Sequence, residues 1–72
     1  MATANKDIHF VSSTGKTVLF KDYPIGSFFG YDGVLYLKQS NTDSPDRTNA
    51  HDCLHGINVH INPDTKVFET NL

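Results

Sequence analysis

Hydrophobic and polar residues are most clearly patterned around Asp32-Gly33, which stands between two runs of aromatic and aliphatic residues. Asp-Gly is a preferred pair for a two-residue type I′ turn, because both central residues of that turn need a positive φ. A turn here would set the pairing of the flanking residues: Tyr31 with Val34, Gly30 with Leu35, Phe29 with Tyr36 and Phe28 with Leu37. The pattern therefore predicts a β-hairpin over residues 27–38.

Both faces of this hairpin are apolar. Because side chains alternate across a strand, one face carries Phe29, Tyr31, Val34 and Tyr36, and the other carries Phe28, Leu35 and Leu37. A lone hairpin cannot bury two apolar faces in water. The first interpretation is a small closed barrel that buries both faces. The alternative is that the face of Leu37 packs against the rest of the chain and that the aromatic face contacts a partner.

Further short segments with strand character lie along the chain, separated by turn residues. Including the hairpin, strands are predicted at residues 7–12, 16–21, 27–31, 34–39, 50–55, 57–61 and 66–69. Ser13-Thr14-Gly15 is predicted to be the turn of a first hairpin, and residues 1–6 are expected to fray. Residues 40–49 contain no hydrophobic residue, which predicts a long exposed loop. The predicted fold class is all-β, as a small barrel or a strongly curled antiparallel sheet of five to seven short strands.

Composition narrows the class of protein. The 72 residues suit a single domain, and the lone Cys53 rules out an intrachain disulfide, which favours a reducing cytoplasmic compartment. We expect neither a signal peptide nor a membrane span, because no apolar run has the required length and position. Six lysines and arginines against eight aspartates and glutamates give a formal charge of −2. Because phosphate-backbone binding needs a basic patch, this balance counts against nucleic acid as a partner.

His51, Cys53 and His55 alternate, and on a strand all three would project from one face. That arrangement could offer three ligands to Zn²⁺, but the spacing matches none of the common zinc signatures. A Cys-His pair could also act as a nucleophile, yet nothing in the sequence supplies an oxyanion hole. We therefore expect Cys53 to be a small core residue and the histidines to line the surface. The prediction is no metal, no cofactor and no catalytic residue.

A wider resemblance rests on the order of several segments. They are Phe20-Lys21-Asp22-Tyr23-Pro24-Ile25-Gly26-Ser27-Phe28-Phe29, Gly33-Val34-Leu35-Tyr36-Leu37-Lys38, Asn49-Ala50, Gly56 and Asn62-Pro63-Asp64-Thr65-Lys66-Val67. In this order the chain resembles small bacteriophage-encoded proteins with an SH3-like barrel, over residues 17–68. The resemblance implies a phage or prophage origin and a barrel fold, and it carries over no catalytic residue. His51, Cys53 and His55 depart from it, because they fall where an apolar strand would be ordinary.

These observations predict a non-enzymatic phage or prophage accessory protein that acts as a protein-binding module in the cytoplasm of the host cell. The predicted binding residues are Phe29, Tyr31 and Tyr36 on the hairpin and Arg47 in the polar loop, because loops on rigid scaffolds often carry function. The predicted partner is a host or phage protein, such as part of a host defence system, and a homodimer is left open. The alternative is a β-barrel that binds a small ligand, a nucleotide or a nucleic acid. A basic concavity containing Lys21, Lys38 and Lys66 would favour that alternative.

Overall fold

The computed structural model describes residues 13–70, which form one antiparallel sheet of six strands in the order β1-β6-β2-β3-β4-β5. The strands are β1 (Ser13–Leu19), β2 (Phe28–Tyr31), β3 (Val34–Lys38), β4 (Ala50–Asp52), β5 (Ile57–Val59) and β6 (Lys66–Thr70). The predicted all-β class is confirmed, with a strand number inside the predicted range. The tail at residues 1–6 and the strand predicted at 7–12 lie outside the described residues. None of the described helical residues forms a segment long and apolar enough to cross a membrane.

The central hairpin has the predicted register. Tyr31 pairs with Val34 and Phe29 with Tyr36, and the two residues between the strands have φ values of 51° at Asp32 and 80° at Gly33. Two successive positive φ values are what a type I′ turn requires, and Gly accepts such a value without steric cost. Local turn chemistry thus fixes the pairing of β2 with β3.

The predicted turn of the first hairpin is wrong. Ser13-Thr14-Gly15 is not a turn but lies within β1, whose partner is β6. Between Ser13 and Thr17 the register of this pairing shifts, and Gly15 has a φ of 81°. A β-bulge and a turn both use a positive-φ glycine, so the same residue suggests either one.

The strand predicted at 16–21 ends early, at Leu19, because Phe20–Asp22 turns into one 3-10 turn. This turn carries Phe20 and leads to Tyr23, and both side chains are buried. It also makes two backbone hydrogen bonds to the segment before β6: the amide of Phe20 donates to Thr65 O (2.8 Å) and that of Lys21 to Pro63 O (3.0 Å). The turn therefore folds back over one face of the sheet.

Phe29 is the centre of the hydrophobic core. Its ring meets those of Phe20 and Tyr23 edge to face, at centroid distances of 5.3 and 5.8 Å, and stacks on Tyr36 at 5.4 Å. The buried apolar residues are Phe20, Tyr23, Phe29, Ala50, Ile61 and Val67. Aromatic pairs in these geometries add to the stabilisation from burial alone.

The expected assignment of the hairpin faces is therefore wrong. Phe29 is fully buried, whereas Leu37, expected in the core, is only half-buried on the opposite face. The physical reason is the 3-10 turn, since it places Phe20 and Tyr23 over the side of the hairpin that carries Phe29. The sequence alone could not separate the two faces, because both are apolar.

Lys38, at the end of β3, is buried and holds this turn in place. Its Nζ donates to the carbonyl oxygens of Phe20 and Tyr23, each at 2.6 Å, and lies 4.5 Å from the centroid of the Phe20 ring. Burial lowers the pKa of Lys38, and Asp22 opposes part of that effect. A side chain that looks like a solvent-exposed lysine in the sequence thus fastens the turn onto the sheet.

Asn49 fastens the polar loop in a similar way. Its Nδ2 donates to Ile61 O (2.8 Å) and Thr42 O (3.2 Å), and its Oδ1 accepts from the amide of Ile61 (2.7 Å). The predicted loop at residues 40–49 is an irregular connection, but its last residue is fully buried rather than exposed. The buried side chain satisfies backbone groups of Thr42 in the same loop and of Ile61 after β5.

Candidate functional site

The core face of the sheet is left partly uncovered near the hairpin turn. The 3-10 turn covers the part around Phe29 and Lys38, and beyond it the apolar side chains near the hairpin turn are half-buried or exposed, although Asp52 between them is buried. We call this region the hairpin-end surface, and its residues are Tyr31, Val34, Tyr36 and Ile57. All four are on the side of the sheet that carries Phe29, because the register places them there.

Two tyrosines form the middle of the hairpin-end surface. The ring of Tyr36 stacks on the buried Phe29 with an interplanar angle of 10°, which supports it from the core side. The ring of Tyr31 lies beside it, with centroids 6.2 Å apart and planes tilted by 56°. Both rings are half-buried and pack against the core cluster. The pair is therefore held in place and still partly open to solvent.

Ile57 extends this surface to the edge of the sheet. Tyr36 pairs with Asp52, and Asp52 pairs with Ile57, so the three lie in one row across β3, β4 and β5. With strands about 4.8 Å apart, Ile57 is roughly 10 Å from Tyr36 along this row. Ile57 is 54% exposed, a large fraction for an isoleucine on the core face of a sheet. Its exposure follows from its position on the edge strand.

Asp52, between these residues, is buried and organises the turn that follows β4. Its Oδ1 accepts from the amides of Leu54 (2.9 Å) and His55 (3.0 Å), and its Oδ2 lies 2.7 Å from Nδ1 of His55. Burial by itself would raise the pKa of Asp52, but the hydrogen bonds from His55 and Leu54 outweigh it and lower the pKa. Asp52 is thus an ionised carboxylate that caps a turn.

The charge around the tyrosines is negative. Partial burial raises the pKa of the Tyr36 hydroxyl, and the carboxylates of Asp52 and Asp32 raise it further, followed by Tyr31. Asp32 is exposed in the hairpin turn, next in sequence to Tyr31. An aromatic pair bordered by carboxylates therefore faces solvent at this end of the sheet.

The histidine-cysteine alternation does not form one face. Because β4 ends at Asp52, Cys53 and His55 lie in the following turn, and only His51 is on the strand. His51 contacts the side chain of Asn58 on β5 instead, with Nδ1 2.8 Å from Oδ1. Among residues 13–70, no group of three or more His, Cys, Asp or Glu is arranged to hold a metal ion.

Cys53 was expected in the core but is exposed. Partial burial of the thiol, and then the nearby Asp52, raise its pKa, which favours the neutral thiol over the nucleophilic thiolate. Within residues 13–70, the only hydrogen-bond partner of the thiol is the backbone oxygen of His51, at 3.8 Å. This environment is opposite to the electropositive one that activates a cysteine.

The predicted binding residues occupy three different environments. Tyr31 and Tyr36 lie together on the hairpin-end surface, and Phe29 lies beneath them in the core, where it cannot touch a partner in the folded protein. Arg47 is exposed in the loop that follows β3, at the opposite end of that strand from the hairpin turn. The structure therefore brings the two tyrosines together and separates them from Arg47, whose role in binding stays a prediction.

Asp32 borders this surface and Ile57 belongs to it, but neither was predicted as a site residue. Asp32 had a sufficient explanation as a turn residue, and Ile57 belonged to an ordinary alternating strand. Only the order of the strands places Ile57 at the edge and in the same row as Tyr36. The adjacency of Asp32 to Tyr31 was the one local signal that could have drawn attention to it.

The three lysines that would have indicated a ligand-binding concavity do not form one. Lys38 is buried with its Nζ on two carbonyl oxygens, Lys21 lies 3.3 Å from Asp64 at the surface, and Lys66 is exposed at the start of β6. Residues 13–70 enclose no pocket.

No protein-family model, curated protein or solved structure matches the chain. The resemblance to phage proteins with an SH3-like barrel therefore stays a prediction, and the fold and the site are described from this chain alone.

Proposed function

We propose that this protein is a non-enzymatic protein-binding module and that the hairpin-end surface is where its partner binds. The observation that carries the proposal is the pair of half-buried tyrosines, supported by Phe29 and continued by the exposed Ile57. Tyr is enriched among the residues that dominate binding energy at protein interfaces. Apolar residues on a rigid sheet suit a protein partner better than a freely diffusing small molecule.

The packing of the two rings favours binding because little freedom remains to be lost. A side chain that becomes ordered on association costs about 0.5–1.5 kcal/mol. Tyr36 is already held by its stacking on Phe29, and Tyr31 by its contact with Tyr36. A partner that covers them would gain the burial of two aromatic rings without much of that cost.

The resemblance to bacteriophage proteins gives a source for the partner. We propose a protein of the bacterial host, including components of a defence system, and a phage protein as the second candidate. A second copy of this chain would use the same surface and can be separated from both by measuring the molar mass of the pure protein in solution.

Affinity capture with matched variants tests this proposal. Tagged wild-type protein, Tyr31→Ala and Ile25→Ser are each incubated with a bacterial host lysate, and the captured proteins are quantified by mass spectrometry. Ile25 is the control because it is also a large exposed apolar residue, 57% exposed, but lies in the turn after Tyr23 and away from the hairpin end. We expect at least one protein to be captured by the wild type and by Ile25→Ser and to be lost with Tyr31→Ala.

The proposal fails if capture by wild type and Tyr31→Ala is the same. Melting temperatures of the three proteins serve as the control for folding, because a variant that is unfolded at the assay temperature would lose binding trivially. If Tyr31→Ala is unfolded, Ile57→Ser replaces it, because it changes an exposed residue of the same surface at the edge of the sheet.

A further inference from the structure

We infer that the hairpin-end surface recognises a basic segment of its partner, with an arginine or lysine side chain placed against Tyr31 and Tyr36 and close to the carboxylate of Asp32. The inference rests on the proposed function and adds the chemistry of the partner. At this end of the sheet, the exposed Asp32 directly follows Tyr31, whose ring lies beside that of Tyr36.

The aromatic rings provide one half of this recognition. A cation within about 6 Å of a ring centroid is attracted by the negative face of the ring, and a guanidinium can also stack on it. The rings of Tyr31 and Tyr36 are tilted by 56° and are not stacked on each other, and both are half-buried, so each keeps part of its surface in solvent. The structure already contains one such contact inside, where Nζ of Lys38 lies 4.5 Å from the Phe20 ring.

The carboxylates provide the other half. The carboxylates of Asp32 and Asp52 both raise the pKa of the Tyr36 hydroxyl. Asp32 is exposed and free to meet an incoming cation, whereas Asp52 is buried and engaged by the turn after β4. The formal charge of the chain, −2, has the same sign and would favour the approach of a basic segment.

The probes are two synthetic peptides of equal length, one repeating Gly-Ser-Arg and the other repeating Gly-Ser-Glu. Each is titrated into ¹⁵N-labelled protein while amide resonances are followed by NMR. We expect the arginine peptide to shift the amides of Tyr31, Asp32 and Tyr36, with an affinity that falls as salt rises, and the glutamate peptide to leave them unchanged. Equal shifts with both peptides, or shifts confined to other parts of the sheet, would overturn the inference.

Asp32→Asn is the variant that isolates the charge. Asn-Gly forms the same type I′ turn as Asp-Gly, so the hairpin keeps its register while the carboxylate is lost. The control is Asp43→Asn, which removes an equal charge from the exposed loop after β3. We expect Asp32→Asn to raise the Kd of the arginine peptide at least threefold. Asp43→Asn should raise the Kd by a factor of less than about 1.5. Equal effects of the two variants would show only a general response to net charge and would refute the inference.

The two proposals fail in different ways. If Tyr31→Ala abolishes capture of a partner but Asp32→Asn and added salt leave it unchanged, the protein-binding function stands and recognition of a basic segment is wrong. If the arginine peptide binds as expected but no captured protein depends on Tyr31, the surface binds cations and the proposed function is wrong.

Discussion

The two ends of strand β3 are built on opposite principles. At the loop end the backbone is irregular, and Lys38 and Asn49 bury polar atoms that satisfy carbonyl and amide groups of distant segments. At the hairpin end the backbone is a regular ladder closed by a type I′ turn, and apolar rings are left half in solvent. The loop end thus buries polar side chains, and the hairpin end leaves apolar side chains partly exposed.

The comparison shows where stability and binding can be separated. At the loop end the partners of the buried side chains are backbone groups of Phe20, Tyr23 and Ile61, and each of these groups would lose a hydrogen bond if the side chain were removed. At the hairpin end the pairing is set by the backbone ladder and the Asp-Gly turn, and the tyrosine side chains contribute less to it. We therefore expect mutations at the loop end to unfold the protein and mutations at the hairpin end to change binding.

The largest effect is expected for Lys38→Met. Methionine keeps most of the apolar stem but donates no hydrogen bond, so the carbonyl oxygens of Phe20 and Tyr23 lose their 2.6 Å partner. We expect the free energy of unfolding to fall by about 2–4 kcal/mol, from the cost of buried acceptors that lose a donor. Urea denaturation measures it. The control is Lys66→Met on the exposed side of β6, for which a change within about 0.5 kcal/mol is expected.

Asn49→Ala should have the next largest effect. It removes the donated and the accepted hydrogen bond to Ile61 that join the polar loop to the segment after β5, and the donated bond to Thr42 O within the loop. We expect a loss of about 1–3 kcal/mol, together with faster hydrogen exchange at the amide of Ile61. Asn41→Ala changes the same residue type at an exposed position of the loop and should leave both quantities unchanged. A similar loss in both variants would show that the loop is not held by Asn49.

The sequence was sufficient to predict the central hairpin but not to predict which segment covers it. Asp32-Gly33 and the alternation around it determine the register of β2 and β3, and these are local properties. Which face is buried depends on the 3-10 turn at Phe20–Asp22. In the sequence this turn cannot be distinguished from the end of a strand, because it continues an apolar run that ends in a lysine. Lys38 likewise has no local signature of burial, because its acceptors lie 15 and 18 residues away in the chain.

The candidate site was predictable to the same extent. That Tyr31 and Tyr36 share one face was predicted from their residue type and from the alternation of side chains along a strand. The burial of Phe29 and the separation of Arg47 from the two tyrosines depend on tertiary structure. The break after Asp52 was invisible because His51-Asp52-Cys53-Leu54-His55 contains neither Gly nor Pro. It is made by the Asp52 carboxylate, which takes the amides of Leu54 and His55 out of strand pairing.

The hairpin end has one polar contact of the loop-end kind, at Asp52, and low pH should break it. The pKa of Asp52 is lowered in the folded protein, so its contribution to stability is complete above the ordinary value of 3.8 and is lost as pH falls through the folded pKa. The pKa of Asp46 is lowered as well, by the hydroxyl of Ser44, and acts in the same direction. We expect the melting temperature to be level from pH 7 to 5 and to fall below about pH 4.

Asp52→Asn identifies the source of that fall. Asparagine keeps an oxygen for the amides of Leu54 and His55 but does not titrate, so the variant should be less stable at pH 7 and should lose less on acidification. Asp43→Asn, in the exposed loop, is the control and should follow the wild-type curve. A wild-type curve that rises between pH 5 and 3 would contradict the sign of the predicted effect.

The smallest effect on folding, and the most informative one, is expected for Tyr31→Ala. The ring is half-buried and touches the core through Tyr36, so its loss should cost about 1 kcal/mol of folding stability, less than the 3–5 kcal/mol typical of a fully buried aromatic ring. If Tyr31 is an interface anchor, the same change should weaken partner binding by about 2 kcal/mol or more. Leu37→Ala is the matched variant, because Leu37 is half-buried at a similar level on the opposite face of the hairpin. It should cost a similar amount of stability and leave binding intact.

Thermal melts and binding titrations on the two variants therefore distinguish the faces: if Leu37→Ala abolishes binding and Tyr31→Ala does not, the partner docks on the opposite face of the sheet. If Tyr31→Ala costs as much stability as Lys38→Met, the hairpin end depends on its side chains as strongly as the loop end does, and the contrast between the two ends is wrong.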